Sequence, residues 1–440
     1  MGLQYDVYDK PGTITSIILG FQNILTSFGG IVAVPLVIAG IAGLNVVETA
    51  FLISAGLLAS GITTMIQSAG IGPKKFRVGV GLPTVMGTDF GFVPPANIVI
   101  NTMGGGMPAY FGATVLGAIF EFILSFFVKP LMKVFTPVVT GTVIALMGMS
   151  MMPVAFDWVA GGVGNPNYGD IKYLAVAIFV FVLVLLLNLY GKGMLSTAAV
   201  LIGIVVGYIV CIPMGLVDFS QVAEADWIQI PKLLPFGIDF DIKYVFPFLA
   251  GYLVTIIETV GVMETLGQVT GTDMTDDDYV AGVRADAVGS MLSPFIGSGP
   301  VQSFSQNVGL IPLTKCASKH VGIVTGLLLV LMSLCPKFAT IISIMPSSVL
   351  GGASILMFGT ITVSGIKTLL QVELNNRNVL IISSALGIGL GVTFKPELAE
   401  QLPGILSSLF GSGISAGTIV ALVLNIVLKE GSEEAISLID

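Results

Sequence analysis

Charge is what this 440-residue chain has least of: Asp, Glu, Lys and Arg together make 10% of it, against about 25% in an ordinary soluble domain. With 54% hydrophobic residues and a mean hydropathy of +0.98, that shortage excludes a soluble globular body. Histidine is nearly absent. His320 is the only one, and beside Lys319 at a segment end it reads as exposed. Three cysteines, Cys211, Cys316 and Cys335, stand singly with no metal-ligand spacing. A metal cluster or a Ser-His-Asp site is therefore not expected, and no phosphate-binding loop points to ATP-driven pumping. The chain reads as no enzyme and as needing no cofactor. The first 13 residues are polar and acidic, with no small-residue processing site after them, so no cleavable signal is expected. The formal charge of −8 resides in loops and tails, at Asp273, Asp276 to Asp278, Glu430, Glu433 and Glu434. It reads as solvated surface and gives no purchase for nucleic acid.

What the chain does have is long apolar runs from end to end, for example 174–190, 195–213 and 322–335. Spanning a bilayer takes about 20 residues, so the runs divide into roughly twelve to fourteen segments. Basic residues decide between these counts. With fourteen spans and a cytoplasmic N-terminus, Lys10, Lys74, Lys75, Arg77, Lys129, Lys133, Lys192, Arg284, Lys315, Lys319, Lys367, Arg377 and Lys429 fall inside, and Lys172, Lys232, Lys243, Lys337 and Lys395 outside. Trp158 and Trp227 then fall in or near external loops, as interfacial anchors. A multi-pass protein of the cytoplasmic membrane with both termini inside is expected.

Two stretches repeat each other at nearly half the chain length: Asp89-Phe90-Gly91-Phe92-Val93-Pro94 and Asn307-Val308-Gly309-Leu310-Ile311-Pro312. Each follows more Gly, Pro and polar residues than a lipid-facing helix tolerates. A second match relates Pro137 to Gly148 with Pro346 to Gly359 at a similar offset. Seven spans per half is odd, so the copies enter the membrane from opposite sides, giving inverted repeats over 1–220 and 221–440. Glycines recurring at close helix contacts would explain one match alone, but hardly two at similar offsets. Backbone that leaves the helix at membrane depth needs protein or water partners. The runs 90–93 and 308–311 suit short strands by their aromatic and β-branched content, so they are expected to pair. Half-helices would then start near Pro94 or Pro95 and near Pro312, with their positive ends aimed at the bilayer centre.

Ionisable residues within apolar segments are costly and read as functional. Glu258, deep in the run 246–262, leads: it suits two N–H donors of a flat heterocycle or a coupling proton, or else a pairing inside a helix bundle. Asp89, Gln306 and Asn307 lie in the broken segments; an amide matches an adjacent C=O and N–H on a base, though it could instead satisfy strand ends. Asp286 suits a proton relay or gate, or a salt bridge with Arg284. Glu121 could be a relay, with pairing inside the bundle preferred; Glu264 reads as solvated. Phe90 and Phe304 could stack on a ring or belong to the core.

Gln306-Asn307-Val308-Gly309 followed by Thr314-Lys315 resembles the signature of the nucleobase/ascorbate transporters. The likeness extends over essentially the whole chain, through Phe21-Gln22-Asn23 with Val34-Pro35-Leu36 and through Glu258-Thr259-Val260-Gly261. It implies an all-α polytopic fold of about fourteen segments in two inverted repeats of seven, with short strands in segments 3 and 10. It also implies a core domain (segments 1–4 and 8–11) moving elevator-fashion past a gate domain (segments 5–7 and 12–14) that mediates a homodimer. By position, Glu258 resembles the base-binding carboxylate and Gln306 the second substrate contact, with Asn307 supporting it from the same strand. Phe90 resembles the ring-packing aromatic, Phe304 and Ser305 line the site, and Asp286 is similar to an acidic position tied to coupling. Val262 departs from the family's usual Asp or His, Asn23 stands where many members carry His, and Asp89, counted with the substrate-binding residues, adds a carboxylate near the base that could shift substrate choice or take over the coupling role. The function expected is import of an oxidised purine, xanthine or urate, by a symporter coupled to a proton, or less favourably sodium. Uracil or a broader nucleobase range is the first alternative. A sulfate-permease-type anion carrier and a passive channel are the others.

Overall fold

The computed structural model of the protein describes residues 3–428. The acidic tail read from Glu430, Glu433 and Glu434, and Lys429 before it, lies outside the described residues. The first half opens with α1 (Thr13–Ala42) and α2 (Val46–Ala69). Their joint is set by local chemistry. Gly43 takes φ +63 after α1, and Asn45 and Glu48 exchange side-chain and backbone bonds of 3.0 Å at the start of α2. The chain then breaks into strand β1 (Met86–Thr88), a 3-10 turn at Phe90–Phe92 and the short α3 (Val93–Asn97). Next come α4 (Gly106–Ser125), α5 (Pro137–Ser150), α6 (Met152–Val159), α7 (Ile171–Tyr190) and α8 (Ala199–Cys211).

The second half begins with α9 (Phe246–Thr270) and α10 (Asp276–Leu292), then breaks into β2 (Val301–Ser303) and α11 (Leu310–Thr314). It ends with α12 (Lys319–Ser333), α13 (Pro336–Ser343), α14 (Ser347–Leu369), α15 (Asn376–Phe394) and α16 (Gly413–Val427). Among the described residues, eight stretches are long and apolar enough to cross a membrane, and a ninth if α12 and α13, bent by 80°, count as one span. The chain is thus a mostly helical, multi-pass membrane protein.

Small residues hold the bundle, as expected where lipid removes the hydrophobic drive between helices. A Cβ on Gly61 of α2 would come within 2.6 Å of the Gly326 carbonyl of α12, so the two backbones touch. In α5 and α14, which the duplication argument matched, Gly141 meets Gly365 and Gly148 meets Phe358, so the helices run in opposite directions. At the other extreme, α7 buries only Val176, Ala177, Val180 and Val184 and exposes Ile178, Phe179, Val182, Leu186 and Leu189. That helix leaves most of its circumference outside the protein's own packing.

Strands β1 and β2 pair antiparallel, with Met86 opposite Ser303, Gly87 opposite Gln302 and Thr88 opposite Val301. The strands exist, but not over 90–93 and 308–311. Asp89 accepts a 2.7 Å bond from the Gly91 N–H and winds Phe90–Phe92 into a 3-10 turn, and prolines at 94 and 95 carry it into helix. In the second copy residues 305–309 are a turn, and α11 starts at Leu310 rather than Pro312. Two other expectations also change, those for Trp158 and His320. Trp158 is buried on α6, not an interfacial anchor, while Trp227 is exposed and lies under the Lys337 ammonium at 5.3 Å. His320 is half-buried.

Candidate functional site

One stripe of α9 addresses both broken segments. Thr255, Glu258, Thr259 and Val262 follow the i, i+3, i+4, i+7 spacing that puts them on one helix face. Thr255 donates to Asp89 Oδ2 at 2.8 Å, which fixes the first segment. Thr259 donates to Asp286 Oδ2 on α10. Glu258 lies against the Gln302 side chain of β2. Val262, where a relay group was missed, packs with Val80, Val308 and Ile311 in a closed apolar cluster, so no proton route passes through that position.

The strands sort their side chains by the period of two. On one face of β2, Val301 exchanges bonds with Ser290 (3.0 and 3.1 Å), and Ser303 donates to Asp286 Oδ1 at 3.0 Å. Gln67 of α2 donates to Ser303 Oγ at 3.0 Å and to the Gly282 carbonyl at 3.1 Å, and accepts from the Val80 N–H at 2.9 Å. Asp286 is thus fully buried and satisfied by donors from α9 and β2. It makes no pair with Arg284, whose guanidinium donates to the Lys75 carbonyl and lies 4.5 Å over Phe126. Two positions apart on a helix, the side chains point about 200° apart, so the salt bridge weighed for them cannot form.

The other face carries Gln302 and Phe304. The Phe304 ring fills a slot floored by two glycines: a Cβ on Gly30 would sit 3.0 Å from it, and one on Gly87 would collide with it. Phe304 is therefore a wedge locking β2 to α1 and β1, not a face open to a ligand. Phe90 is also enclosed, edge-on to Phe358 of α14 with centroids 5.1 Å apart.

Beyond the strand the surface opens. Ser305, Gln306 and Gly309 are exposed, Asn307 is buried, and Glu258 is half-exposed. One turn along α9, a Cβ on Gly261 would meet nothing within 4 Å, and Glu264 and Thr265 beyond it are exposed. The face of α9 that carries Glu258 thus stays open toward its Thr270 end, while Phe90 is closed in by Phe358. Asn307 does not share a strand with Gln306. Both are in the turn, and Asn307 donates instead to the Asn23 carbonyl at 2.8 Å, with Asn23 donating to Thr325 at 3.2 Å. Asn307 is a brace between α11 and α1.

Glu258, Ser305 and Gln306 thus keep surface outside the protein's own packing, whereas Asp89, Asp286, Asn307, Phe90 and Phe304 are buried around the two strands. The contact that sequence reasoning missed is Gln302, nearly buried, beside Glu258, and with its Oε1 unpartnered. Its signal was available as an amide four residues before Gln306 in a Gly-Pro-rich break. Gln67 was a further one, a lone amide in the apolar run of α2. None of the three ion pairs found among the described residues involves Asp89, Glu258 or Asp286.

Two interrupted spans meeting inside a multi-pass bundle, with carboxyl and amide groups at an open mouth beside them, define a membrane transporter. The chain belongs to the permease family whose Xan_ur_permease model matches residues 14–398. A Clostridium perfringens protein that provisionally carries the name purine permease is 51% identical over 98% of this chain and 94% of its own. The uric acid transporter UacT of Escherichia coli K12 is 37% identical over 95% and 86%, and the xanthine permease of Bacillus subtilis 36% over 93% and 92%. Among solved structures, the transmembrane domain of a cyanobacterial bicarbonate transporter, BicA, superposes with a TM-score of 0.64 over 89% of this chain and 98% of its own, at 11% identity. That last likeness is one of fold alone. The rival with an anion carrier's architecture shares the fold, while the sequence belongs with the permeases, which are transporters and not enzymes.

Proposed function

We propose that the protein is a secondary-active symporter that imports an oxidised purine, xanthine or urate, across the cytoplasmic membrane. The observation that carries this reading is that Glu258 lies against Gln302 of the second broken segment, which leaves Gln306 exposed just beyond its strand. A carboxylate can accept two N–H donors of a flat ring, and each amide offers one acceptor and two donors to its C=O and N–H edge. Relatives named for uric acid and xanthine support the choice of purine, and an amide rather than a carboxylate at 306 supports it over uracil. Among the described residues no ion pair involves the central carboxyls, which weighs against a sulfate-like dianion as cargo.

In this reading 1–220 and 221–440 are inverted repeats of seven segments, and the antiparallel meeting of β1 with β2 and of α5 with α14 supports it. The segments that hold the strands, Asp286 and Glu258 form a core that travels past a gate containing α14, which the protein holds still as a homodimer. The mouth open along α9 toward Thr270 corresponds to the inward-facing state. Phe90, released from Phe358 when the core moves, then packs on the ring. Glu258→Gln is expected to cut concentrative uptake of labelled xanthine and urate by about a hundredfold or more while the protein still inserts and unfolds at its normal temperature. Undiminished uptake of both by that variant would remove the mechanism. Abolition of accumulation by a protonophore separates the symporter from a passive channel.

A further inference from the structure

Glu121 is the most anomalous residue in the molecule. It lies four residues from the end of α4, none of its surface reaches solvent, and neither carboxyl oxygen has a hydrogen-bond partner among the described residues. The pairing expected of it inside the bundle is absent. An ionised carboxylate with no partner cannot be held in such a place, because taking it out of water costs far more than any packing around it returns; the group takes up a proton instead.

The elements packed on α4 present a particular set of groups. From α10 come Asp286, within electrostatic reach, and Arg284, turned away to the Lys75 carbonyl and the Phe126 ring with its own Nε unpartnered. From α9 comes Tyr252, whose hydroxyl is committed to the Thr114 carbonyl at 2.7 Å. Asp89 reaches it electrostatically from the first broken segment. The turn Ile242–Val245 offers Lys243, which is paired with Asp241, and Tyr244, beside Gly105 near the start of α4. Among the described residues no ion pair neutralises Glu121, and two further carboxyls would repel its charge. Evolution toward a stable bundle would place an apolar residue here; a carboxyl that keeps its proton only while α4, α9 and α10 stay closed is a device for binding and releasing one.

We propose that Glu121 is a proton-binding site of the transport cycle, loaded in the conformation seen here and unloaded when water enters between α4, α9 and α10. On unloading, the Glu121 O–H bond breaks, water takes the proton, and the carboxylate left behind is free to draw in the unpartnered Nε of Arg284. Asp286, on the facing helix and bonded to the strand that carries Gln302, links this site mechanically to the substrate mouth. The inference rests on the symporter reading for its place in the cycle, and it supplies the relay group that Val262 does not.

Infrared spectra of the purified protein at neutral pH test the loading without any substrate. The wild type is expected to show the C=O stretch of a buried protonated carboxyl that Glu121→Gln removes and Glu121→Asp retains. In proteoliposomes, Glu121→Gln should keep xanthine counterflow near the wild-type rate but lose the roughly tenfold accumulation that one proton draws from a gradient of one pH unit. Glu121→Asp should restore part of it. A band unchanged in Glu121→Gln, or accumulation by that variant equal to wild type, overturns the proposal. A wild type that shows the band but neither binds nor exchanges purines condemns the substrate reading instead.

Discussion

In the first broken segment every polar side chain is engaged by the protein itself. Asp89 accepts from Thr255 and from the Gly91 N–H, and Thr88 donates to the Gly30 and Ile31 carbonyls at 3.2 and 3.0 Å. In the second, Ser305 and Gln306 are exposed and Gln302 keeps an unpartnered oxygen. The two copies share a strand, a turn and a half-helix, yet one is a floor and the other a contact surface. Duplication supplied the backbone that can leave the helix at membrane depth; the side chains then diverged according to whether their hydrogen bonds are closed inside the protein or left for a ligand. A polar group in a membrane interior is informative in proportion to the bonds it does not make.

The sharpest way to break the comparison is at the joint between the copies. Phe304 reaches from the second segment into the slot between Gly30 and Gly87 of the first half. Phe304→Ala is expected to cost about 3–5 kcal/mol of stability, the range for truncating a fully packed aromatic. Thermal unfolding in detergent would read it as a large fall in midpoint, with loss of binding following from the loss of register. A variant as stable as wild type would mean the ring is a ligand face after all, not a wedge.

Gln306→Ala probes the open side and should behave oppositely. The side chain is exposed and makes no hydrogen bond within the protein, so the unfolding midpoint should stay within about 0.5 kcal/mol of wild type. Affinity for xanthine, measured by calorimetry, should fall roughly tenfold to a hundredfold, since the substrate's polar edge would then be buried unpaired. Were stability to fall and affinity to hold, the assignment of floor and contact surface would be reversed.

These opposed roles show how far the sequence could be read. The membrane class and the two breaks followed from composition and duplication, and the family's pattern pointed to Glu258, Asp286 and Gln306 as the residues to test. The strands were placed four to eight residues too late, because β-propensity picked out the aromatic and β-branched runs. Three-residue strands form where a partner stands opposite, and Met86-Gly87-Thr88 has no strand preference of its own. Asp89 was read as a possible ligand for the base, but its neighbour two residues on and a threonine on α9 consume it, and only the fold brings that threonine near. Glu121 was expected to be paired. An unmade bond has no signature along the chain, since the pattern of an apolar helix with one acid is the same either way.

The smallest effect expected concerns how the two segments are approached rather than the segments themselves. Arg77, in the turn leading to β1, pairs with Asp278 in the first turn of α10, the helix that leads to β2. Asp278 also takes the Thr275 N–H at 2.8 Å, closing a capping box, so one carboxylate starts a helix and ties the two leads together. Asp278→Ala removes both and should lower stability by about 1 kcal/mol, the usual worth of a cap, because the partly exposed ion pair adds little in water. Arg77→Ala, which leaves the cap intact, should cost only a few tenths of that scale. If instead Arg77→Ala proves as damaging as Asp278→Ala, the tie between the leads outweighs the cap, and the floor and the contact surface are coupled outside the membrane as well as through Phe304.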